Sequence, residues 1–574
     1  MMTVLALFMI QCEVISDDHL QDPNNPSPDN VSPDFLLNNI QLELAGKNDT
    51  DQSMFQNMSE KGMDVTRMTQ MFGTTYESAY SPQLFDDEWE EAYSDIFIDI
   101  ETLIPLANER ELYTHTAIAR VIRAYTLLAI ADYWGDAPYS EALDVDNFNP
   151  AADTDQQLYT TALAQLDSAE ADLGKDQLAL PGNDLFYGEF SDDVDAYENK
   201  WMKVINTLRL KAYVQQRKVN DFSSEINNLV SNPDMLITDA EDAFAFPHST
   251  NSTNPDSRHP FFIANYLGTT DADDYMSNYF MDLLLNDKTA PDPRTRYYVY
   301  RQVTSNTTDV NEKQCIPNVG NPPSHYRPFD PFCELTDGYW GRDHGVSLGI
   351  PPDDQKKTTF GVYPVGGAYD ADQGAVVSPG AGLQGAGIQP LWMPAYTHFL
   401  IAEAGLALGT NTPAGSVADQ LEAGIRSSMT YVRDFGAPAL PSGASGMTPS
   451  QIDGYVNQVL DRYNNQAAND TERMALIAQE FYLALWGNGL ETYNLFRRAM
   501  NANLAFDGYT ESDRWKHFPR SAQVHRQPPS AVGLFYSTMK YPSAYTQRNS
   551  SAQQKPNNHV QVFWDNTDPT IFDF

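Results

Sequence analysis

The sequence predicts a mainly α-helical protein with a body of helical hairpins, a large loop-rich insertion and an irregular C-terminal tail. The first observation is the stretch 113–143, where apolar residues recur with the i, i+3, i+4, i+7 spacing of one helical face. The opposite side of its later turns is apolar too, so we expect other helices to surround it. Gly135 and Pro138 end the helix, because glycine accepts a positive φ and proline cannot donate the next hydrogen bond.

The second observation is a series of amphipathic helices along the rest of the chain. Apolar stripes at helical spacing predict helices at 155–173, 200–218, 395–408, 417–433 and 471–486. Gly487-Asn488-Gly489 then turns the chain into one more helix that ends at Arg497 and Arg498. Paired amphipathic helices joined by short turns are typical of stacked helical hairpins.

The third observation is a change of character between residues 233 and 392. Prolines, glycines and aspartates punctuate this part, and helical periodicity is found only at 275–285. Its aromatic residues argue against disorder, and ordered loops of this length are usually functional. We therefore expect this part to face a ligand or a partner.

These observations divide the chain into six parts, and we expect residues 34–574 to form one structural unit. The parts are a signal remnant that ends in a lipid-attachment cysteine (1–12), a flexible proline-rich tether (13–33), an N-terminal helical-repeat part (34–232), the loop-rich part (233–392), a C-terminal helical part (393–506) and an irregular tail packed on the body (507–574).

The charge balance excludes some partners. The chain carries 78 acidic and 36 basic side chains among its 574 residues, a net charge of −42. This excess argues against nucleic acid or an anionic membrane surface as the main partner. Its plainer meaning is solubility, and this is the favoured interpretation.

The three cysteines are informative by their positions. Cys12 follows the apolar run 4–10, as the lipid-accepting cysteine follows the signal of an exported lipoprotein. The run lacks a preceding basic residue, and Gln11 stands where a small residue is usual, so the true start lies upstream or the signal is atypical. With Cys12 lipidated, Cys315 and Cys333 remain as a pair for a disulfide; the alternative is two unpaired buried thiols.

The sequence contains short matches to catalytic and cofactor-binding motifs, but none of them has the sequence context that the motif requires. Residues 380–385 match G-x-G-x-x-G, but they follow Ser378-Pro379 instead of a strand, and Pro390 prevents the helix that a phosphate cradle needs. Residues 443–446 are not a nucleophile elbow, because the second glycine falls one place early. The histidines show no metal-ligand spacing, so we expect no cofactor and no metal, with an irregular calcium site left open.

Five stretches carry a resemblance to a known family. They are ARVIRAYTLLAIADYWGDAPYSEAL (119–143), WMKVINTLRLKAYVQ (201–215), GYWGRDHG (338–345), GAGIQPLWMPAYTHFLIAEAGLAL (385–408) and RMALIAQEFYLALWGNGLETYNLFRRA (473–499). Together, in this order, they resemble the SusD/RagB family of nutrient-binding lipoproteins on the bacterial outer-membrane surface. The resemblance implies a tetratricopeptide-like body, a lipid anchor as the sole membrane contact, and docking as a lid on a SusC-like TonB-dependent transporter.

Aromatic residues in irregular loops are the candidates for ligand binding, because flat rings with polar groups around them grip both sugars and peptide side chains. The candidates are Tyr76, Tyr80, Tyr339, Trp340, Arg342, Asp343 and His344. For each ring the alternative is packing in the core, with the glycines around Trp340 merely turning the chain.

We therefore expect a surface-exposed nutrient-binding lipoprotein of the outer membrane that captures oligosaccharide or peptide and is not an enzyme. Two alternatives stay open: an α-helical glycan-degrading enzyme and a helical-repeat scaffold for protein interactions. New reducing ends on incubation with polysaccharide would indicate the enzyme, and a lack of small-ligand binding would indicate the scaffold.

Overall fold

The computed structural model describes residues 31–47, 53–144, 146–188, 193–267, 274–309, 322–346, 353, 355–499, 510–519 and 535–567. Cys12, Cys315 and most of the predicted tether therefore lie outside the described residues. Helices dominate the described part, which confirms the predicted mainly α-helical class.

The α-helices are α1 (Pro33–Gln41), α2 (Met54–Val65), α3 (Tyr76–Ala79), α4 (Asp86–Glu90), α5 (Phe97–Glu109), α6 (Tyr113–Trp134), α7 (Asp155–Leu173), α8 (Val194–Gln215), α9 (Ser223–Val230), α10 (Pro260–Tyr266), α11 (Asn278–Asn286), α12 (Thr295–Tyr298), α13 (Pro394–Leu408), α14 (Val417–Gly436), α15 (Pro449–Asp461), α16 (Asp470–Ala484), α17 (Gly489–Ala499) and α18 (Ser543–Arg548). The strands are β1 (Phe244–Pro247), β2 (Val299–Arg301), β3 (Thr358–Phe360) and β4 (Ile388–Trp392).

Helix α6 lies at the centre of the N-terminal half, as its apolar pattern predicts. All of its residues except Tyr113 and Arg120 are buried. Helices α1, α5, α7 and α8 pack around it. Gly135 ends α6 with a φ of +74°, and its N–H donates to the carbonyl of Ala131. The apolar faces of the surrounding helices thus meet on one central helix.

The C-terminal helices form a second group that packs against the first. Helix α13 packs on α14 and α16, and α17 packs on α2. The contact between α17 and α2 depends on two glycines, because a Cβ on Gly62 would lie 2.1 Å from the carbonyl oxygen of Gly489. Small residues at this crossing allow the two backbones to meet closely.

The loop-rich part contains short strands that pair over long distances in sequence. Strand β1 pairs antiparallel with β4, which places Phe244 opposite Trp392. Strand β2 pairs antiparallel with β3, which places Val299 opposite Phe360. All four of these side chains are buried, so the pairings tie the irregular segments to the helical core.

The described parts of the tail pack on the helical body. Trp515, Tyr536 and Trp564 are all buried. The hydroxyl of Tyr493 on α17 donates to the carbonyl of Tyr536 over 2.6 Å. These contacts show how a segment without helical periodicity gains order from the surface of other elements.

Two general features concern membranes and metals. In the part of the chain that the structure describes, no helix combines the length and apolar character needed to cross a bilayer. Nor do the described residues bring three or more histidine, cysteine, aspartate or glutamate side chains into a metal-binding arrangement.

Candidate functional site

Tyr76 and Tyr80 lie in an interior aromatic cluster. Both are buried, and their rings stack with centroids 6.5 Å apart. The ring of His344 lies 5.6 Å from that of Tyr76, with Nε2 3.3 Å from the hydroxyl oxygen. Phe535 and Tyr536 complete the cluster. Burial holds the pKa of His344 well below its usual range, so the ring is uncharged at neutral pH. Tyr76, Tyr80 and His344, which were predicted as ligand contacts, therefore lie in the core.

Trp340 and Arg342 also lie in the interior. Trp340 is 2% exposed, and its indole N–H donates to the carboxylate of Asp353. Arg342 donates to the same carboxylate over 2.6 Å, and its guanidinium lies 4.0 Å from the ring centroid of Tyr275. A buried guanidinium requires such a partner, so these side chains hold the 338–345 segment in the core. The alternative interpretation, that Trp340 packs inward, is the one that the structure supports.

Asp343 holds neighbouring loops together. Its carboxylate accepts hydrogen bonds from the Asn278 amide over 2.6 Å, the Tyr326 hydroxyl over 2.9 Å and the Cys333 N–H over 3.0 Å. With its oxygens satisfied in this way, the buried carboxylate has a structural role instead of the predicted ligand contact. Cys333 is disulfide-bonded, while its predicted partner Cys315 lies outside the described residues.

Tyr339 is the one predicted ligand residue that lines a described surface cleft. The cleft has a volume of about 740 Å³, and we call it the Tyr339 cleft. Its lining residues are Thr289, Ala290, Pro291, Asp292, Pro293, Thr295, Arg296, Tyr339, Tyr369, Ser445, Gly446, Met447, Thr448, Ser450, Gln451, Gly454, Tyr455 and Gln458. The fold thus brings Tyr339 together with the 289–296 loop and the start of α15.

Two tyrosines line this cleft, although both rings are largely buried: Tyr339 is 9% exposed and Tyr369 is 4% exposed. The guanidinium of Arg301 lies 4.6 Å from the ring centroid of Tyr339, which restrains that ring. The Tyr369 hydroxyl donates to the carbonyl of Ser445 over 3.1 Å, and its ring meets that of Tyr297 edge to face at 4.9 Å. Burial raises the pKa of Tyr339 to about 12, so its hydroxyl stays protonated at neutral pH.

The start of α15 forms the opposite wall. The N–H of Thr448 donates to the Gln451 side chain over 2.8 Å, and the N–H of Gln451 donates back to the Thr448 hydroxyl over 3.3 Å. This reciprocal cap fixes the first turn of the helix. The Gln458 side chain accepts from the N–H of Thr289 over 2.9 Å, which ties α15 to the facing loop. Ser450 remains exposed at the rim.

The charged groups in the lining are already paired. Asp292 lies 2.6 Å from Arg294 Nη2, and both side chains are buried. Arg296 pairs with Asp372. Asp292 is the only carboxylate among the described lining residues, so the cleft lacks the two acids that glycoside hydrolysis requires. What remains is a surface of aromatic rings, hydroxyls and amides, which suits a neutral polar ligand.

Of the residues that line this cleft, the sequence predicted only Tyr339 as a ligand contact. A signal for α15 is present, since Thr448-Pro449-Ser450-Gln451 has the form of a capping box with proline at the first helical position. No comparable signal marks Tyr369, because the loop-rich part has no period that separates inward from outward rings. Residues 443–446, which do not match a nucleophile elbow, lie beside Tyr369 through the hydrogen bond to the Ser445 carbonyl.

Comparison with known families supports the resemblance noted in the sequence. A family model for SusD-like proteins, described as starch-binding and associating with the outer membrane, matches residues 23–320, just over half of the 574-residue chain. No curated protein matches the sequence significantly.

Solved structures share the fold over nearly the whole chain. A SusD/RagB family protein from Bacteroides thetaiotaomicron has a TM-score of 0.63 at 18% identity, covering 94% of this chain and 100% of its own. A chitin-binding protein has a TM-score of 0.61 at 17% identity, covering 93% and 100%. A chitin-binding SusD homolog from Flavobacterium johnsoniae has a TM-score of 0.59 at 17% identity, covering 93% and 99%. Identities this low show a shared fold alone, whereas the family match extends over half of the sequence. The chain belongs to the SusD-like family.

Proposed function

We propose that this protein is a surface-exposed lipoprotein of the outer membrane that captures an oligosaccharide in the Tyr339 cleft for uptake. The observation that carries the proposal is the pairing of two restrained tyrosine rings with hydroxyl and amide groups in a cleft without free charge. Membership of a family described as starch-binding supports a carbohydrate ligand, as do two similar structures named as chitin-binding.

The chemistry of the cleft favours a sugar chain over a peptide. The C–H faces of sugar rings pack on aromatic side chains, and their hydroxyls exchange hydrogen bonds with serine, threonine and glutamine. The volume of about 740 Å³ lies within the range of roughly 300–1,000 Å³ that small-ligand pockets occupy. Binding is non-covalent, since the described lining holds no pair of carboxylates for hydrolysis.

The proposed partner is a SusC-like TonB-dependent transporter, on which the protein acts as a lid. This part of the proposal rests on the family, whose model is described as associating with the outer membrane. Affinity purification of the tagged full-length chain from native membranes should recover a transporter in stoichiometric amount. Recovery of the chain without any barrel protein after mild solubilisation contradicts the lid role.

Filling the cleft tests the binding proposal. Ser450 is exposed in the lining, so Ser450→Trp should obstruct the cleft without disturbing the core. Asn457→Trp adds the same ring to an exposed position of α15 outside the lining and serves as the control. Calorimetry with a malto-oligosaccharide and an N-acetylated chito-oligosaccharide identifies the ligand that the parent binds.

For that ligand we expect at least a tenfold loss of affinity, about 1.4 kcal/mol, in Ser450→Trp and no change in Asn457→Trp. Melting temperatures of both variants should match the parent. Unchanged affinity in Ser450→Trp places binding elsewhere, and release of new reducing ends would indicate the enzyme alternative.

A further inference from the structure

A second cleft lies between the loop at 238–240 and the outer side of α14. Its volume is about 490 Å³, and we call it the Tyr431 cleft. Its lining residues are Thr238, Asp239, Ala240, Arg426, Ser427, Thr430, Tyr431, Asp434 and Phe435. It shares no lining residue with the Tyr339 cleft, so the two can be altered separately.

Helical geometry accounts for the composition of this cleft. The α14 lining residues fall at spacings of three and four and form one stripe on the helix, next to a buried face that packs on α13. Tyr431 and Phe435 are half-buried in that stripe. The ring of Tyr363 meets both edge to face, at centroid distances of 6.3 Å and 5.6 Å. The two rings are therefore held in place and partly open to solvent.

Arg426, the single cation in the described lining, is already neutralised, and the Asp434 carboxylate is paired as well. Arg426 donates to Glu422 and to Asp453, each over 2.7 Å. Asp434 accepts from the adjacent Arg433 over 2.7 Å. A negatively charged ligand would have to displace these carboxylates, so the cleft does not favour anions.

Asp239 differs from these paired carboxylates. Its side chain is exposed and makes no hydrogen bond or ion pair within the described part of the chain. Burial lowers the pKa of His398, which Asp239 raises again in part, so that ring does not supply a cation at neutral pH. The net charge of −42 adds a long-range field that concentrates cations at the surface. A free carboxylate beside two open aromatic rings is a suitable arrangement for an ammonium group.

We propose that the Tyr431 cleft is a second binding site, selective for sugar units that carry a protonated amino group. The rings of Tyr431 and Phe435 accept the C–H face of the sugar and its cation, and Asp239 pairs with the ammonium group. The hydroxyls of Ser427 and Thr430 are available to the hydroxyls of the sugar. The Tyr339 cleft lacks a free carboxylate in its described lining, so it cannot provide this selectivity.

Calorimetry of the full chain with a glucosamine tetramer tests this proposal, with the N-acetylated tetramer as the uncharged counterpart. Asp239→Asn should weaken binding of the glucosamine tetramer by roughly threefold. Tyr431→Ala should weaken it by roughly tenfold, while Tyr431→Phe, which keeps the ring, should bind as the parent does. Asp234→Asn removes the same charge from an exposed position outside the lining and should change nothing.

Three results overturn the proposal. The first is a failed charge test, seen either as no measurable binding of the glucosamine tetramer or as equal affinity in Asp239→Asn and Asp234→Asn. The second is equally tight binding of tetralysine that Asp239→Asn weakens in the same way, which would indicate a basic peptide as the ligand. The third is loss of glucosamine-tetramer binding in Ser450→Trp, which would place that ligand in the Tyr339 cleft and leave the function proposed above intact. Asp239 is exposed, so its variant folds even if Tyr431→Ala does not.

Discussion

Trp564 in the tail donates its indole N–H to the carboxylate of Asp132 on α6 over 3.0 Å, although the two residues are 432 positions apart. Asp132 is buried and also accepts from Tyr159 over 2.5 Å, Lys211 over 3.1 Å and Asn494 over 2.8 Å. These donors come from α7, α8 and α17. A buried carboxylate is costly unless its oxygens are satisfied, so the tail completes a polar network at the centre of the fold.

Removing the indole N–H should therefore destabilise the protein. We expect Trp564→Phe to lower the free energy of unfolding by about 1.5–3 kcal/mol beyond the loss of ring size, because the acceptor is charged. Trp134→Phe is the control, since Trp134 is equally buried and its indole N–H makes no hydrogen bond within the described residues. Urea unfolding measures both variants, and equal losses would contradict a role for the hydrogen bond.

Trp340→Ala separates a core role from a ligand role. Because Trp340 is buried and hydrogen-bonded to Asp353, we expect a loss of about 3–5 kcal/mol in stability and a clear fall in melting temperature. Phe148→Ala, at a ring that is 82% exposed, should leave the melting temperature unchanged. An unchanged melting temperature for Trp340→Ala, together with weaker oligosaccharide binding, would restore Trp340 as a ligand residue.

Glu91 should make stability depend on pH. Burial raises its pKa from 4.5 to about 9, the charge of Glu88 adds to this effect, and Lys47 opposes it. The folded state therefore keeps a proton that the unfolded state releases. Its stabilising effect is complete below about pH 4.5 and is lost as the pH rises towards 9.

Glu91→Gln imitates the protonated acid and should stabilise the protein by a margin that grows between pH 5 and pH 9. Each unit between the folded and unfolded pKa corresponds to about 1.4 kcal/mol, so the margin at pH 8 should be readily measurable. Glu109→Gln alters an exposed residue of α5 and should give a difference that does not vary with pH. Melting curves between pH 5 and pH 9 measure the stability difference between each variant and the parent. A difference for Glu91→Gln that does not change with pH would show that Glu91 is ionised in the folded state.

Cys12, which lies outside the described residues, is predicted to carry the lipid anchor. Cys12→Ala should move the protein from the membrane fraction to the soluble fraction, because no acyl chain would hold it at the bilayer. Ser16→Ala, a change of similar size in the same stretch, should leave the protein in the membrane fraction. Fractionation with immunodetection measures both, and a membrane-bound Cys12→Ala variant would rule out this anchor.

Helices with a long buried face were predictable from the sequence. The stripe at 155–173 coincides with α7, and the stripe at 417–433 lies within α14, which continues to Gly436. Such a stripe repeats over several turns, so each apolar residue supports the assignment of the next. The shorter α15 has a capping signal but only three turns of apolar spacing, and it was missed.

The site was much less predictable. The adjacent residues Tyr339 and Trp340 were treated alike, and both are largely buried, yet only Tyr339 lines a described cleft. Their surroundings come from other parts of the chain, namely Arg301 for Tyr339 and Asp353 for Trp340. No local pattern reports which of two neighbouring rings will meet such a partner.

The sequence by itself determined the family, the mainly α-helical class and the central position of α6, because all three are encoded in residues close together along the chain. Only the tertiary structure decided which aromatic rings are open, where the two clefts lie, and that Asp132 gathers donors from distant segments. The physical reason is that burial and charge pairing depend on contacts between elements. In irregular loops those contacts leave no period in the sequence.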